Sequence, residues 1–238
     1  MNSASPPAVE TRGLAKSFGN TKVLRDLNLK VEAGTALVIF GPNGAGKTTL
    51  IKALASIMRP TAGQVFIDGL DLKERAQEAR RRLGLVSHHS YLYGTLSAEE
   101  NLAFYGRMYG VIGLKERISE VLSLVGLTHR RHDRVATFSR GMLQRLSLGR
   151  ALLHKPSIML LDEPDTGLDP QALADMWHIL RQDNPHRTVI FTSHNFERAL
   201  TAASDVVILA KGKVAWSTPS HGLTLTVLNE AYAQAAGG

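Results

Sequence analysis

The segment GPNGAGKTT, from Gly41 to Thr49, matches the pattern G-x-x-x-x-G-K-[ST], which cradles phosphate groups. Its glycines allow backbone N–H groups to curl around a β-phosphate, and the helix N-terminus that follows adds positive potential. Lys47 is expected to bridge the β- and γ-phosphates of ATP, and the hydroxyl of Thr48 to bind Mg²⁺. The alternative, a glycine-rich turn with a chance lysine, is disfavoured by the strand before it and the helix after it. The predicted nucleotide contacts are Gly41, Pro42, Asn43, Gly44, Ala45, Gly46, Lys47, Thr48 and Thr49.

Two adjacent carboxylates, Asp162 and Glu163, follow the apolar run IMLL. At the tip of a strand, Asp162 can hold Mg²⁺ through water, and Glu163 can polarise the water that attacks the γ-phosphate. General-base assistance of this kind is worth about 10²- to 10⁴-fold in rate. An acidic strand terminus that only caps the next segment is the alternative, and the phosphate-binding pattern disfavours it. The sequence therefore predicts ATP hydrolysis with Lys47 and Glu163 as catalytic residues.

Short β-branched apolar runs alternate with helical patterns along the chain, which predicts an α/β fold. Such an alternation favours a mainly parallel sheet with ligands at the carboxyl ends of its strands. The residues from Val9 to Val31 instead predict an antiparallel strand pair joined by the turn GNTK. Further strands are predicted at 35–40, 63–69, 83–87, 157–162, 188–192, 206–210 and 213–217, and helices after Lys47 and at about 170–182, 195–203 and 223–235.

From about residue 95 to 155 the pattern is helical throughout. Ser97 reads as an N-cap with acids in the first turn that follows. The stretch from Leu114 to Gly126 has apolar spacing of three and four and a terminal glycine. We therefore predict a helical subdomain inserted into one domain that covers residues 1–238, with a disordered N-terminus at about 1–8.

The segment SRGMLQR, from Ser139 to Arg145, precedes an apolar-periodic helix, and with it the chain resembles the ABC transporter ATPase family over nearly its whole length. The resemblance implies an ABC-type P-loop NTPase core with an antiparallel β-subdomain and an inserted helical subdomain. It also implies a dimer in which Ser139 and Gly141 contact the γ-phosphate of ATP bound to the opposite subunit. A helix N-terminus suits that anion, although a serine that only caps a buried helix is the commoner arrangement.

Three further segments match the family in order. The loop TGLD, from Thr166 to Asp169, looks like the one that contacts the second subunit. His194 looks like the histidine that senses the γ-phosphate, and the resemblance makes it a catalytic residue. Phe18 stands where the family stacks an aromatic ring on adenine. A lone histidine is usually structural and a lone phenylalanine usually belongs to the core, but their order and context favour the functional interpretation.

The chain departs from the family pattern at three positions. Arg140 stands where glycine is usual, so the loop must avoid a positive φ there or carry strain; its charge could lie near the phosphates or face solvent. The expected glutamine is replaced by His88 or His89, and a neutral imidazole can bind water or Mg²⁺, so His88 is a predicted metal contact with Thr48 and Asp162. Asn195 replaces an aspartate that often follows the histidine.

Composition limits the classes of function. The chain has no cysteine, which excludes disulfides and thiolate metal sites, and no apolar run near the ~20 residues that span a bilayer. Its net charge of +7 comes partly from the basic runs at 73–82 and 129–134. No stacking aromatics are interleaved with these runs, so we expect no nucleic-acid partner and favour docking near phospholipid head groups.

The resemblance therefore implies an ATP-binding and ATP-hydrolysing subunit on the cytoplasmic side of the cell membrane. Its implied partners are membrane-spanning transporter subunits and a second ATPase subunit, as a homodimer. The segments at 84–111 and 138–156 look most like the haem exporter ATPase of cytochrome c maturation. Multidrug or lipid exporter ATPases and a soluble ATPase of the cluster-assembly type are the alternatives. A P-loop kinase or GTPase outside this family would not explain SRGMLQR.

Overall fold

The computed structural model describes residues 6–165 and 170–237. Its strands are β1 (Val9–Phe18), β2 (Thr21–Val31), β3 (Ala36–Phe40), β4 (Ala62–Ile67), β5 (Leu70–Asp71), β6 (Leu83–Val86), β7 (Ile158–Leu161), β8 (Thr188–Thr192), β9 (Asp205–Ala210) and β10 (Lys213–Pro219). Its α-helices are α1 (Lys47–Leu54), α2 (Ala76–Arg81), α3 (Ala98–Tyr109), α4 (Leu114–Leu124), α5 (Arg140–Leu152), α6 (Pro170–Asp183), α7 (Phe196–Leu200) and α8 (Leu225–Gly237). Among the described residues, no helix combines the length and apolar composition that crossing a bilayer requires.

Four strands form an antiparallel sheet in the order β2-β1-β4-β5. β1 and β2 pair antiparallel from Val9 opposite Val31, which confirms the predicted strand pair. The predicted N-terminal disorder is wrong for Ala8, whose side chain is buried and whose carbonyl accepts a hydrogen bond from the Asp68 amide. Residues 1–5 of the predicted segment lie outside the described residues.

The second sheet has the order β10-β9-β3-β8-β7-β6. Its first strand pairs antiparallel with β9, and the remaining neighbours are parallel. In β3, Leu37 and Ile39 belong to one buried cluster while Val38 and Phe40 belong to another on the opposite face. Side chains alternate between the two faces of a strand, so a strand covered on both sides must be apolar throughout. This explains the uninterrupted apolar runs in the sequence and confirms the mainly parallel sheet.

Three functional segments leave this sheet at the same edge. The phosphate-binding loop follows β3, Asp162 and Glu163 follow β7, and His194 follows β8. Because β3, β8 and β7 are adjacent and parallel, their carboxyl ends meet. The topology therefore gathers residues that are far apart in the chain.

Helices α3, α4 and α5 form the predicted helical subdomain, with a buried cluster of their own that includes Leu102, Leu122 and Leu146. Helix α3 begins with a capping box, in which the Ser97 hydroxyl accepts from the Glu100 amide and the Glu100 carboxylate accepts from the Ser97 amide. These interactions define where the subdomain begins.

Buried charges connect this subdomain to the rest of the fold. The guanidinium of Arg117 on α4 donates to the carbonyls of Leu152 and Leu153 and to Asp183 on α6. Arg187 contacts the other carboxylate oxygen of Asp183. The Asp183 carboxylate therefore bridges two buried guanidinium groups, and Arg117 also pairs with Glu120 at 2.7 Å.

Candidate active site

The phosphate-binding loop depends on two of its glycines. Gly41 has a φ of +152°, and a Cβ there would lie 2.2 Å from the Leu209 carbonyl oxygen. Gly46 has a φ of +105°, and a Cβ there would lie 2.8 Å from a methyl group of Leu24. Any larger residue would push the loop away from β9 or β2. The loop is thus held close to both strands as it turns into α1.

Lys47 is buried at the start of α1, with 6% of its surface exposed. Its ammonium group donates to the carbonyls of Gly41, at 2.7 Å, and Pro42, at 3.3 Å. Burial lowers the pKa of Lys47, and the negative charges of Glu163 and Asp162 oppose that shift. The geometry therefore holds a cation inside the loop where phosphate oxygens could replace the two carbonyls.

Asp162, at the end of β7, accepts hydrogen bonds from two hydroxyl groups. Thr48 and Thr192 both donate to its Oδ1 atom, each at 3.1 Å. Hydroxyl and carboxylate oxygens are the donors that Mg²⁺ prefers, and Mg²⁺ keeps several water and phosphate ligands besides one or two from protein. Among the described residues no group of three or more histidine, cysteine or acidic side chains could hold a metal by itself. This donor set fits an ion that is completed by water and phosphate.

Glu163 has a left-handed backbone conformation, with φ at 51°. This conformation costs a non-glycine residue on the order of 1–3 kcal/mol, and it is held here by the bond from the Glu163 amide to the Thr192 hydroxyl, at 2.8 Å. In the sequence, Thr192 is marked only as a polar residue that ends a buried strand.

Two imidazoles face the Glu163 carboxylate. The Nε2 atom of His194 lies 2.8 Å from Oε1, and the Nε2 atom of His88 lies 3.3 Å from Oε2. Partial burial alone would raise the pKa of Glu163, but the hydrogen bond and charge of His194, with the charges of His88 and Lys47, lower it. The carboxylate is therefore ionised at neutral pH and oriented on both sides.

Ser139 is the N-cap of α5 and accepts from the Met142 amide at 3.3 Å. Arg140 is the first residue of the helix and is not among the residues with positive φ, so the substitution carries no backbone strain. Arg140 also lines a cavity of about 200 Å³ beside His88 and Glu163, so it does not simply face solvent. Gly141 is exposed, and a Cβ on it would meet no described atom within 4 Å. The surface around Gly141 at the start of α5 is therefore exposed.

Phe18 and Asn195, which the sequence also singled out, have contacts of their own. Phe18, at the end of β1, is 51% exposed, with the Lys16 ammonium 5.1 Å from its ring centre. Asn195, the substituted position after His194, caps α7 by accepting from the Arg198 amide at 2.9 Å. The predicted subunit-contact loop at 166–169 lies outside the described residues.

A scan against protein families matches residues 24–166 to the ABC transporter model. The chain belongs to the ABC transporter family. The match spans the phosphate-binding loop, the start of α5 and the carboxylates that follow β7. The chain is an ATPase of this family, and its fold has the antiparallel and parallel sheets of that family.

Several bacterial members of the ABC transporter family are similar in sequence. The linearmycin resistance ATP-binding protein LnrL of Bacillus subtilis is 34% identical over 209 residues, which are 87% of this chain and 67% of that protein. The bacitracin transport ATP-binding protein BcrA of Bacillus licheniformis is 37% identical over 213 residues, 89% of this chain and 69% of its own.

Solved ABC structures share the fold. The ATP binding subunit of an ABC transporter matches with a TM-score of 0.85 at 28% identity, over 95% of this chain and 98% of that one. A dimeric ATP-binding cassette in a post-hydrolysis state, bound to ADP and Pi, matches with a TM-score of 0.80 at 25% identity, over 90% of this chain and 100% of that one.

Proposed function

We propose that this chain is the ATPase subunit of an ABC exporter and works as a homodimer on the cytoplasmic side of membrane-spanning subunits. The observation that carries the proposal is the arrangement around Glu163, an ionised carboxylate beside the Thr48–Asp162 pair and the buried Lys47 ammonium. That arrangement suits in-line attack of water on a terminal phosphate.

In the proposed reaction, the loop from Gly41 to Thr49 binds the phosphates through its amide groups, and Lys47 exchanges its two carbonyl partners for phosphate oxygens. Thr48 and Asp162 would hold Mg²⁺, which neutralises charge on the phosphates when bound. Glu163 accepts a proton from the attacking water while the bond between the γ-phosphorus and the bridging oxygen of ADP breaks. His194 keeps the Glu163 carboxylate oriented. Phe18 offers a half-exposed ring for stacking on adenine.

A second copy of the chain would complete each site. Ser139 and Gly141 lie at an exposed helix N-terminus, where amide groups and the helix dipole attract phosphate. The similar cassette bound to ADP and Pi is a dimer, which supports this arrangement.

Exposed apolar side chains support the membrane partner. They include Ile57, Tyr91, Phe104, Met108 and Ile112, of which Ile112 is 96% exposed. Large apolar side chains that face water can serve as contacts for a protein or a membrane. We assign these side chains to contact with the cytoplasmic segments of the membrane-spanning subunits, with the basic runs near the phospholipid head groups.

The names of two relatives suggest a class of transported compound, since they refer to linearmycin resistance and bacitracin transport. We therefore propose export of a drug-like or antibiotic-like compound. The narrower prediction of haem export rests on resemblance of sequence segments alone, and neither of these two names refers to haem.

An affinity capture tests this function. Tagged Glu163→Gln protein is captured in ATP from detergent-solubilised native membranes, and the proteins recovered with it are identified by mass spectrometry. Wild type and Glu197→Gln, at an exposed glutamate on α7, are the matched controls. Recovery of a polytopic subunit, enriched with Glu163→Gln, is the expected result, and a cytochrome c maturation protein among the partners would restore haem as the cargo. Recovery of soluble partners alone would contradict the transporter role and favour a soluble ATPase.

A further inference from the structure

We propose that His88 is a positioning residue for the catalytic carboxylate of Glu163. The inference rests on the proposed ATPase mechanism and assigns His88 a role different from the metal contact that the sequence predicts. It follows from strand register, from side-chain contacts and from the way in which the loop after β6 is fastened.

Strand register brings the two residues together. β6 and β7 are parallel, with Val86 opposite Leu161, and the Asp162 amide donates to the Val86 carbonyl at 2.9 Å. Strands β6 and β7 both end at this point. His88 and Glu163 each follow two residues after the paired positions, so the backbone places them side by side.

The carboxylate is approached on both oxygens. His194 comes from the segment after β8 and lies at Oε1, whereas His88 comes from the segment after β6 and lies at Oε2. The His194 approach is a hydrogen bond, whereas the His88 approach has the distance of an ion pair, which forms when the ring is protonated. The 3.3 Å separation at Oε2 is longer than the 2.8 Å at Oε1, and catalytic contacts of this kind commonly tighten when substrate binds. Two contacts fix the rotation of the carboxylate, which one contact cannot do.

Hydrogen bonds connect the segment that carries His88 to the helical subdomain. On α5, the guanidinium of Arg150 donates to the Leu85 carbonyl at 2.7 Å, and the Ser147 hydroxyl donates to the Ser90 carbonyl at 3.3 Å.

Helix α3 supplies two more attachments. The Tyr105 hydroxyl donates to the Tyr91 carbonyl, and the Asn101 side chain bonds both the amide and the carbonyl of Tyr93. These attachments hold the loop that carries His88 against α3 and α5.

The neighbouring histidine provides a matched control. The His89 ring lies against Tyr91, with ring centroids 6.3 Å apart, and its carbonyl accepts from the Ser87 hydroxyl. A substitution at His89 thus perturbs the same loop without removing the contact to the carboxylate.

Steady-state ATPase kinetics of the full chain test the proposal, with kcat, KM for ATP and the Mg²⁺ concentration for half-maximal rate measured for each variant. We expect His88→Leu to lower kcat by about 10- to 100-fold while KM and the Mg²⁺ requirement stay within about twofold, because the base is misplaced and binding is not. His88→Gln, whose amide nitrogen reaches a similar distance, should restore most of kcat, and His89→Leu should match wild type. In a Glu163→Gln background, His88→Leu should cause no further loss of kcat.

A rise in the Mg²⁺ requirement with unchanged kcat would identify His88 as a metal contact and overturn the positioning role. Wild-type kinetics in His88→Leu would overturn it as well, and so would an equal loss in His89→Leu. If the wild-type chain itself shows no ATP turnover, that result contradicts the proposed ATPase function and not only the role of His88. Circular dichroism and ATP affinity of each variant distinguish these results from misfolding.

Discussion

The Thr48 hydroxyl lies 3.1 Å from the Asp162 carboxylate, although 114 positions separate the two residues in the chain. This contact joins the first turn of α1 to the end of β7, and Thr192 on β8 donates to the same oxygen. Three elements thus converge on one carboxylate oxygen. Pre-organised groups of this kind avoid reorganisation when charge develops during the reaction.

Lys47→Ala should weaken ATP binding by about 10- to 100-fold, because hydrogen bonds to a charged group contribute about 1.5–3 kcal/mol. Equilibrium binding of a fluorescent ATP analogue measures the change. Lys52→Ala, in the last turn of the same helix, is the matched control and should bind as wild type does. Unchanged affinity in Lys47→Ala would contradict the assignment of the loop as the phosphate site.

Glu163→Gln should retain ATP affinity and lose turnover by about 10²- to 10⁴-fold, because an amide cannot accept the proton from water. The amide oxygen can still accept from His194, so the geometry of the site should persist. Single-turnover hydrolysis and ATP binding, measured together, separate the two effects. Turnover near the wild-type rate would rule out Glu163 as the general base.

A dimer in which one subunit carries Lys47→Ala and the other carries Gly141→Asp should recover roughly half of the wild-type ATPase rate. Both substitutions then fall in one composite site, and the second of the two equivalent sites is intact. Each variant alone should be nearly inactive. An aspartate at Gly141 would place a negative charge at the N-terminus of α5, where a phosphate is expected. The dimer is isolated through two different tags and assayed against either homodimer. No recovery of activity would argue that each chain builds its site alone.

Local patterns were enough to predict the phosphate-binding loop, the strand pair and most strand positions. Each depends on a short run of residues, such as the alternation in β3 that covers both faces of the sheet. The same holds for Ser97, whose capping box needs only a residue three positions away. These features are set by periodicity and by backbone conformation, both of which can be read in one sequence.

Contacts across the fold could not be predicted in this way. The approach of His88 to Glu163 depends on the register of β6 and β7, which no local pattern specifies. Arg140 was expected to strain its loop or avoid positive φ, and only the observed start of α5 decides between the two. Charged residues also read as solvated, so the burial of Asp183 between two arginines left no signal in the sequence.

Asp183→Ala should destabilise the fold by about 3–5 kcal/mol, because it leaves the buried guanidinium group of Arg187 without its carboxylate and leaves Arg117 with the exposed Glu120 as its partner. Urea unfolding at neutral pH measures the loss. Asp175→Ala, at an exposed aspartate on the same helix, should change stability by less than about 0.5 kcal/mol. Similar midpoints for the two variants would show that the buried cluster contributes little.

His154 should make the fold sensitive to mild acid. Its Nε2 atom lies 3.0 Å from the Leu83 carbonyl, its ring stacks on Tyr109 at 3.9 Å, and its buried Nδ1 atom has no partner among the described residues. Burial lowers the pKa of His154 to about 4, against about 6.5 in an unfolded chain. Below pH 6.5, His154 binds a proton in the unfolded state but stays neutral in the folded state until the pH falls to about 4. The stability contribution is therefore full above pH 6.5, falls as the pH drops, and levels off below about pH 4.

Because of this difference in pKa, the free energy of unfolding falls by about 2 kcal/mol between pH 7 and pH 5. His154→Phe keeps an aromatic ring on Tyr109 and removes the titrating group, so it should lose about 2 kcal/mol less than wild type over that interval. Carboxylates and the other histidines titrate alike in both proteins, and the difference between their unfolding free energies isolates His154. His178→Phe, at an exposed position on α6, should follow the wild-type curve. Parallel curves for wild type and His154→Phe would mean that His154 is protonated in the folded state at pH 5.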